Sequence, residues 1–139
     1  MSSPFSPPEA AVLRRSFDRV ARRADALAET FYRLLFERAP SVRPLFEESM
    51  DEQYYKFVRM VGLMVEMAEY PERFEAECRA SGERHRFYGA APAHYPVVGE
   101  TLIAALRETS TPPLTSEEEA LWLRLYTWAA GIMVAASPS

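Results

Sequence analysis

Several residue types on which catalytic and binding motifs depend are scarce in this chain. Its 139 residues include 5 glycines, 2 histidines and 1 cysteine, and a single lysine stands among 16 basic residues. No glycine-rich phosphate loop is present, and the two histidines with one cysteine do not match the ligand spacing of a zinc site. No nucleophile motif supports a Ser-His-acid arrangement. The chemistry of this chain therefore has to come from another kind of site.

Disulfide bonds, a secretory signal and a membrane-spanning segment are not expected either. Cys78 is the only cysteine, so no internal disulfide can form, and an intracellular, cytoplasmic setting is the default expectation. Residues 2–9 are polar and rich in proline, unlike a signal peptide. The most apolar late stretch, from Ala120 to Ala136, contains Arg124 and is short for a membrane span. A net charge of −4 weighs against nucleic acid or an anionic membrane as the main partner.

Helical periodicity runs through the whole chain. Apolar residues recur three and four positions apart in every periodic segment, and none of these segments alternates like a strand. Ser6 to Glu9 has the composition of a helix start, so residues 1–5 are expected to form a loose arm. We divide the chain into an N-terminal arm, residues 1–8, and one folded domain, residues 9–137. The predicted class is all-α, with about seven helices.

Prolines and capping residues mark the predicted helix boundaries. Pro40 and Pro44 are expected to break the chain into a short corner after the second helix. Pro71 ends a strongly amphipathic helix and begins the next one, and Pro92 precedes another. A capping-box pattern at residues 115–118 opens the last helix. These boundaries place the two histidines in different helices.

The segment 82–102 holds both histidines, His85 and His94. Counting back from His85 by seven and by eleven residues reaches Cys78 and Phe74, so the three are predicted to share one inward helix face. A histidine in such a place usually packs in the core or satisfies a hydrogen bond there. In a helical chain rich in aromatic residues and methionine, it could instead donate one axial ligand to a metal that a porphyrin already holds. The residues alone leave both interpretations open.

An ordered set of short motifs carries a resemblance to a known family. They are Phe31-Tyr32 with Leu35-Phe36, then Pro40-Ser41-Val42-Arg43-Pro44-Leu45-Phe46, then Arg84-His85 with Tyr88-Gly89, and His94-Tyr95-Pro96-Val97-Val98-Gly99. With this order and spacing the chain resembles a globin over residues 9–136, and specifically the single-domain bacterial haemoglobins related to the haem domain of flavohaemoglobins. The resemblance implies an all-α globin fold that sandwiches a haem, with haem b (iron protoporphyrin IX) as the cofactor.

On the proximal side of that haem the resemblance assigns three residues. His85 matches the histidine that ligates the iron, and Tyr95 matches a tyrosine beside it. Val98, in the same helix as Tyr95, belongs to the cofactor-binding set. His94 is expected near the haem edge but not as a ligand.

On the distal side and at the pocket rim the resemblance assigns six more residues. They are Tyr32 and Gln53 as the distal pair, Phe46 as the wedge against the porphyrin, Phe57 as a cover over the distal face, and Lys56 and Arg84 as partners of the propionates. Several also have an ordinary interpretation. Phe46 and Phe57 would be core aromatics in any helical fold, and Tyr32 could hold its hydroxyl in water at a surface rim. Gln53 could be solvated in the first turn of its helix, and Lys56 and Arg84 could simply be solvated cations.

The resemblance implies a function as well. Tyr32, supported by the Gln53 amide, would stabilise O2 on a five-coordinate iron, giving tight binding with slow release, and NO and CO would bind at the same place. Nitric oxide dioxygenation to nitrate is implied too. The reductase domain of flavohaemoglobins is not among these 139 residues, so turnover would need an external electron donor. The family's last-helix glutamate falls near Ser137 and is missing, which makes peroxidase-like chemistry doubtful.

Rival classes remain at this point. One is a haemless or haem-based globin-fold sensor or interaction module. Another is a helical-bundle enzyme, which no sequence motif supports. The combination of His85, Phe46 and Tyr32 weighs against a haemless module, and no output domain follows the last helix to suggest a sensor. Both a monomer and a homodimer are compatible with the apolar last helix.

Overall fold

The computed structural model describes residues 2–136, except for the side chain of Phe87. These residues form six α-helices and two 3₁₀ helices, and no strand occurs among them. In chain order they are α1 (Pro7–Ala21), α2 (Ala24–Arg38), a 3₁₀ helix (Pro40–Leu45), α3 (Asp51–Glu66), a 3₁₀ helix (Met67–Glu69), α4 (Pro71–Phe87), α5 (His94–Thr109) and α6 (Ser116–Ala135). The prediction of an all-helical chain is confirmed.

The helix boundaries follow from local chemistry. Capping boxes begin α1 and α6, where the side chains of Ser6 and Thr115 accept hydrogen bonds from backbone N–H groups three residues later. Pro71 occupies the first turn of α4, where its missing N–H costs nothing. Gly89 ends α4 with φ +101°, a left-handed conformation that glycine adopts without strain. The 3₁₀ helix Pro40–Leu45 is the corner that the prolines predicted.

The prediction of a loose N-terminal arm is wrong for residues 2–5. Phe5 is only 5% exposed, and its ring lies 6.2 Å from that of Trp128. The Ser3 hydroxyl donates to the carbonyl of Ala68, and Arg124 donates to the carbonyl of Pro4 at 3.2 Å. The arm is held because burying one aromatic ring removes a large apolar area from water, which the polar composition of the segment concealed.

Two helix pairs have the most extensive contacts, α2 with α5 and α4 with α6. On α4 and α6 the rings of Phe74 and Trp128 stack at 3.7 Å and 4°. One turn before His85, Gly82 lies against the backbone of Met133, where an added Cβ would approach the Met133 carbonyl oxygen to 2.6 Å. The buried Trp122 indole donates to the Ser16 hydroxyl at 2.9 Å and joins α6 to α1. Further contacts of α5 with α6 and of α1 with α2 join the two pairs.

Two sequence-based expectations concern the ends of the molecule and the membrane. No helix among the described residues is long and apolar enough to cross a bilayer. Ser137, the position at which the family's last-helix glutamate is missing, lies outside the described residues.

Candidate functional site

His85 is oriented by a hydrogen bond within its own helix. Its Nδ1 lies 2.7 Å from the Ser81 carbonyl oxygen and 3.3 Å from the Ser81 hydroxyl oxygen. Because a carbonyl oxygen can only accept, Nδ1 carries the ring proton and donates it. The lone pair of the neutral imidazole is therefore on Nε2, the nitrogen that remains available to a metal.

His85 lies at the end of the α4 face that the sequence predicted it to share with Phe74 and Cys78. Phe74 and Cys78 are fully buried on the shared face of α4, and Ser81 is also buried, but the His85 side chain is exposed. The Gly82–Met133 contact lies close to the last turn of α6, so His85 stands one turn beyond the point where α6 covers α4. The histidine thus ends a buried helix face and is open to a ligand.

Tyr32 of α2 and Gln53 of α3 form the second part of the candidate site. The Gln53 Nε2 donates to the Tyr32 hydroxyl at 2.7 Å, and Tyr32 is only 4% exposed. Burial raises the pKa of Tyr32 to about 12, so the phenol stays neutral at physiological pH. The hydroxyl accepts a hydrogen bond from Gln53 and keeps its own proton for donation to another group.

Aromatic rings surround the Tyr32 side chain. The centroids of Phe46, Tyr54 and Phe57 lie 5.5, 5.6 and 5.6 Å from its ring, and Phe57 stacks on Phe31 at 4.2 Å. Phe46 and Phe57 are half-buried, so they pack in the core and still present apolar surface. An apolar surrounding strengthens any hydrogen bond that the Tyr32 hydroxyl donates.

The first turn of α5 is fixed by a residue that the sequence had not singled out. The Tyr126 hydroxyl donates to the Tyr95 carbonyl at 2.5 Å, and burial raises the pKa of both phenols. The Tyr126 ring fits only because position 99 is glycine, where an added Cβ would lie 2.6 Å from the ring. Tyr95 and Val98 are half-buried in this turn of α5 and the next.

The three remaining candidates at the rim are polar and differ in their partners. Lys56 is paired with Glu52 at 3.3 Å and Arg84 with Glu77 at 3.8 Å, with side chains 64% and 57% exposed. Both cations are thus solvated and free to reorient. His94 begins α5, where its Nδ1 accepts the Ala91 N–H at 3.0 Å.

The structure therefore brings the distal candidates Tyr32, Gln53, Phe46 and Phe57 into one cluster, whereas His85 stands on α4 with Ser81. Sequence reasoning missed Ser81, Tyr54 and Tyr126. Ser81 could have been found as the residue one turn before His85, whose carbonyl faces the ring. Tyr54 and Tyr126 act through contacts between helices, for which the sequence gives no local signal.

The chemistry of these residues fits a haem. His85 donates a hydrogen bond through Nδ1 and can offer Nε2 to a metal, aromatic rings offer apolar surface, and the buried Tyr32 hydroxyl can donate a hydrogen bond. Among residues 2–136 no group of three or more His, Cys, Asp or Glu side chains could hold a metal ion by itself. A metal bound to a porphyrin needs only a single protein ligand, and His85 is the candidate for that ligand.

Comparison with known proteins places this helical fold in a class. The Globin family profile matches residues 29–133, most of the chain. The chain belongs to the globin family, as its motifs indicated. Among curated relatives, the flavohemoprotein of Rhizobium meliloti is 27% identical over 117 residues, which are 82% of this chain and 29% of the relative. The chain thus spans between 21% and 34% of the length of these curated relatives.

Solved structures give the same fold. An engineered carbene transferase made from a candidate nitric oxide dioxygenase of Rhodothermus marinus is 27% identical, with a TM-score of 0.83 over 96% of this chain and 93% of that one. A globin from Campylobacter jejuni is 18% identical, with a TM-score of 0.83 over 95% and 96% of the two chains. A flavohemoglobin of Malassezia yamatoensis with bound FAD and haem is 16% identical, with a TM-score of 0.72 over 95% of this chain and 36% of that one. The predicted kinship with single-domain bacterial globins is confirmed.

Proposed function

We propose that this globin binds haem b through His85 and uses Tyr32 to stabilise O2, with NO and CO as further ligands of the same site. The observation that carries the proposal is the Tyr32–Gln53 hydrogen bond, which leaves a neutral, buried phenol with one proton to donate. The ordinary interpretation of Tyr32, a tyrosine at a surface rim with its hydroxyl in water, does not agree with its burial.

His85 serves in the proposal as the proximal ligand. The Nδ1–H bond to the Ser81 carbonyl fixes both the tautomer and the ring plane, so that Nε2 points away from the helix with its lone pair unprotonated. Haem, if held there by His85, would supply an iron that can bind a diatomic gas. Tyr95 and Val98 are proposed to line the same side, held by the Tyr126 bond to the Tyr95 carbonyl.

On the distal side, the residue proposed to stabilise O2 is Tyr32. A ligand that draws negative charge, as O2 does, is stabilised by an O–H donor in a water-poor setting far more than by a solvated one. Gln53 orients that hydroxyl, while Phe46 and Phe57 keep water away and contact the porphyrin. Lys56 and Arg84 form exposed ion pairs with Glu52 and Glu77. We propose that both cations pair with the haem propionates instead when haem is bound.

Nitric oxide dioxygenation is the enzymatic part of the proposal. It combines NO, O2 and one electron to give nitrate, and the described residues include no group that would supply that electron. The flavohemoprotein relatives and the Rhodothermus protein support this activity for a chain of the present kind. We assign the electron to an external reductase and place the reaction in the cytoplasm, where the buried free thiol of Cys78 would stay reduced.

The test is an absorption spectrum of the purified protein with haem supplied, before and after reduction and then with CO. The expected result is a Soret band that shifts at each step. In the variant His85→Ala, haem affinity should fall by roughly tenfold or more, because the only protein ligand is gone. The other histidine provides the control, and His94→Ala should keep the wild-type spectrum. A wild-type protein that stays colourless with haem present would favour a haemless globin-fold interaction module instead.

A further inference from the structure

Arg43 in the proline corner is tied to the backbone that leads from the corner to α3. Its guanidinium donates to three successive carbonyls, those of Phe46 at 3.3 Å, Glu47 at 2.9 Å and Glu48 at 3.1 Å. In the other direction the Phe46 N–H donates to the Arg43 carbonyl at 3.1 Å. Charged donors make hydrogen bonds about twice as strong as neutral ones. Arg43 thereby clamps a segment, 46–48, that lies between the 3₁₀ helix of the corner and α3.

The same guanidinium reaches the aromatic cluster around Tyr32. It lies over the face of Phe36, 5.1 Å from the ring centroid, which is a cation–π arrangement. Phe36 in turn contacts Phe46 at 5.6 Å and Tyr32 at 5.9 Å. Arg43 therefore touches both the ring that supports Tyr32 and the chain that carries Phe46.

The clamped segment also determines where α3 begins. Glu48 precedes Asp51, the first residue of α3, by three residues, and Gln53 lies in the first turn of that helix. A shift of segment 46–48 would move Phe46 directly and Gln53 through the start of α3. Both side chains meet Tyr32, Gln53 through its 2.7 Å hydrogen bond and Phe46 through its ring.

We propose that Arg43 is a positioning residue that sets the geometry of the Tyr32–Gln53 pair, by clamping segment 46–48 to the corner and to Phe36. The inference rests on the proposed function of Tyr32 as the donor to O2. Lysine cannot replace arginine here, because a single ammonium group has no planar fork with which to reach several carbonyls and cover a ring at once. The role of Arg43 is thus separate from that of a simple positive charge at the pocket rim.

The experiment compares Arg43→Lys and Arg43→Gln with the wild type, all loaded with haem. The C–O stretch of the carbon monoxide complex reports the distal hydrogen bond by infrared spectroscopy, and stopped flow gives the O2 dissociation rate. Both variants should shift or broaden the C–O band and speed O2 dissociation by roughly threefold to tenfold, the effect of weakening one hydrogen bond. Arg33→Lys is the matched control and should leave both readouts unchanged, because Arg33 lies exposed on α2 and pairs with Glu37 of the same helix and Glu108 of α5.

A Tyr32→Phe background isolates the route by which Arg43 acts. There, Arg43→Lys should have no further effect on O2 dissociation, since the donor that it positions is already gone. An equal effect with and without the Tyr32 hydroxyl would overturn the proposal, as would an Arg43→Lys protein with the wild-type C–O band and rate. A wild-type protein that takes up no haem would instead refute the proposed function itself, so the two failures are distinguishable.

Discussion

At the scale of single residues, the proposed binding of O2 depends most directly on the Tyr32 hydroxyl. Replacing it with Tyr32→Phe removes the proton donor while keeping the ring contacts with Phe46 and Phe57. O2 should then dissociate roughly tenfold faster or more, because a hydrogen bond to a ligand that carries charge is worth about 1.5–3 kcal/mol. Stopped-flow displacement of O2 by CO measures the rate.

The control for this substitution is Tyr55→Phe, which removes a hydroxyl from the same region at a residue that is 68% exposed. It should leave O2 dissociation unchanged. Because burial raises the pKa of Tyr32 to about 12, the wild-type rate should also stay constant from about pH 6 to about pH 9 as far as Tyr32 is concerned. A Tyr32→Phe protein that releases O2 at the wild-type rate would remove Tyr32 from the mechanism.

The resemblance to globins made the Tyr32–Gln53 pair predictable, whereas the contacts of Tyr126 and Arg43 were not. The resemblance assigned Tyr32 and Gln53 to one site, and the structure places them in hydrogen-bond contact, although their roles toward a ligand stay predictions. Tyr126 was missed because its hydroxyl meets Tyr95 only once α5 and α6 are packed, 31 residues apart in the chain. Arg43 was visible as part of the corner motif, but its three carbonyl partners depend on how the chain turns afterwards.

At the scale of helices, the close approach of α4 to α6 fixes the position of His85. The substitution Gly82→Ala would place a methyl group 2.6 Å from the Met133 carbonyl oxygen and 2.8 Å from its Cα, neither of which can move aside. Overpacking of this kind costs about 1–3 kcal/mol, more than the ~1 kcal/mol that alanine gains over glycine in a helix. The free energy of unfolding should therefore fall, and haem should dissociate faster because α4 carries His85.

The matched control on α6 is Gly131→Ala, because an added Cβ there meets no atom within 4 Å. This variant should be more stable than the wild type by up to about 1 kcal/mol, from helix propensity alone. Urea unfolding of the two variants gives the comparison. If Gly82→Ala proved as stable as Gly131→Ala and held haem equally well, the contact between Gly82 and the Met133 backbone would not position α4.

Helix boundaries were the part of the fold that the sequence predicted best, because their causes are local. Both capping boxes and the proline corner lie where the residues indicated. The N-terminal arm was misjudged because its anchor, the burial of Phe5 beside Trp128, depends on a helix more than a hundred residues away.

At the scale of the whole molecule, Arg19 and Glu118 join the first helix to the last. The two side chains form a bidentate pair at 2.6 and 2.9 Å, and they are only 22% and 10% exposed. Glu118 also accepts the Thr115 N–H at the start of α6. The Arg19 hydrogen bonds hold the pKa of Glu118 below its ordinary value, so the folded state favours the charged carboxylate. The pair therefore stabilises the fold wherever Glu118 is ionised.

The pH dependence of this stabilisation follows from the lowered pKa of Glu118. Because the folded-state pKa is the lower one, the stabilisation is complete above the unfolded-state pKa, about 4.3, and is lost as the pH falls through the folded-state value. Glu118→Gln should thus lower the free energy of unfolding at pH 7 by roughly 1.5–3 kcal/mol, the value of hydrogen bonds to a charged group. The difference from the wild type should begin to shrink below about pH 4, as measured by denaturant unfolding at each pH.

Glu119, the residue next to Glu118, provides the control for the Glu118→Gln prediction. Glu119 pairs with Arg107 at 2.7 Å, but Arg107 is 59% exposed, and solvent-screened pairs of this kind contribute about 0–1 kcal/mol. Glu119→Gln should therefore cost little at any pH, although the Arg107 hydrogen bond lowers the pKa of that carboxyl too. Equal penalties for the two variants, or a Glu118→Gln penalty that does not diminish in acid, would mean that the closure of α1 on α6 rests on the Trp122–Ser16 contact and apolar packing rather than on the buried ion pair.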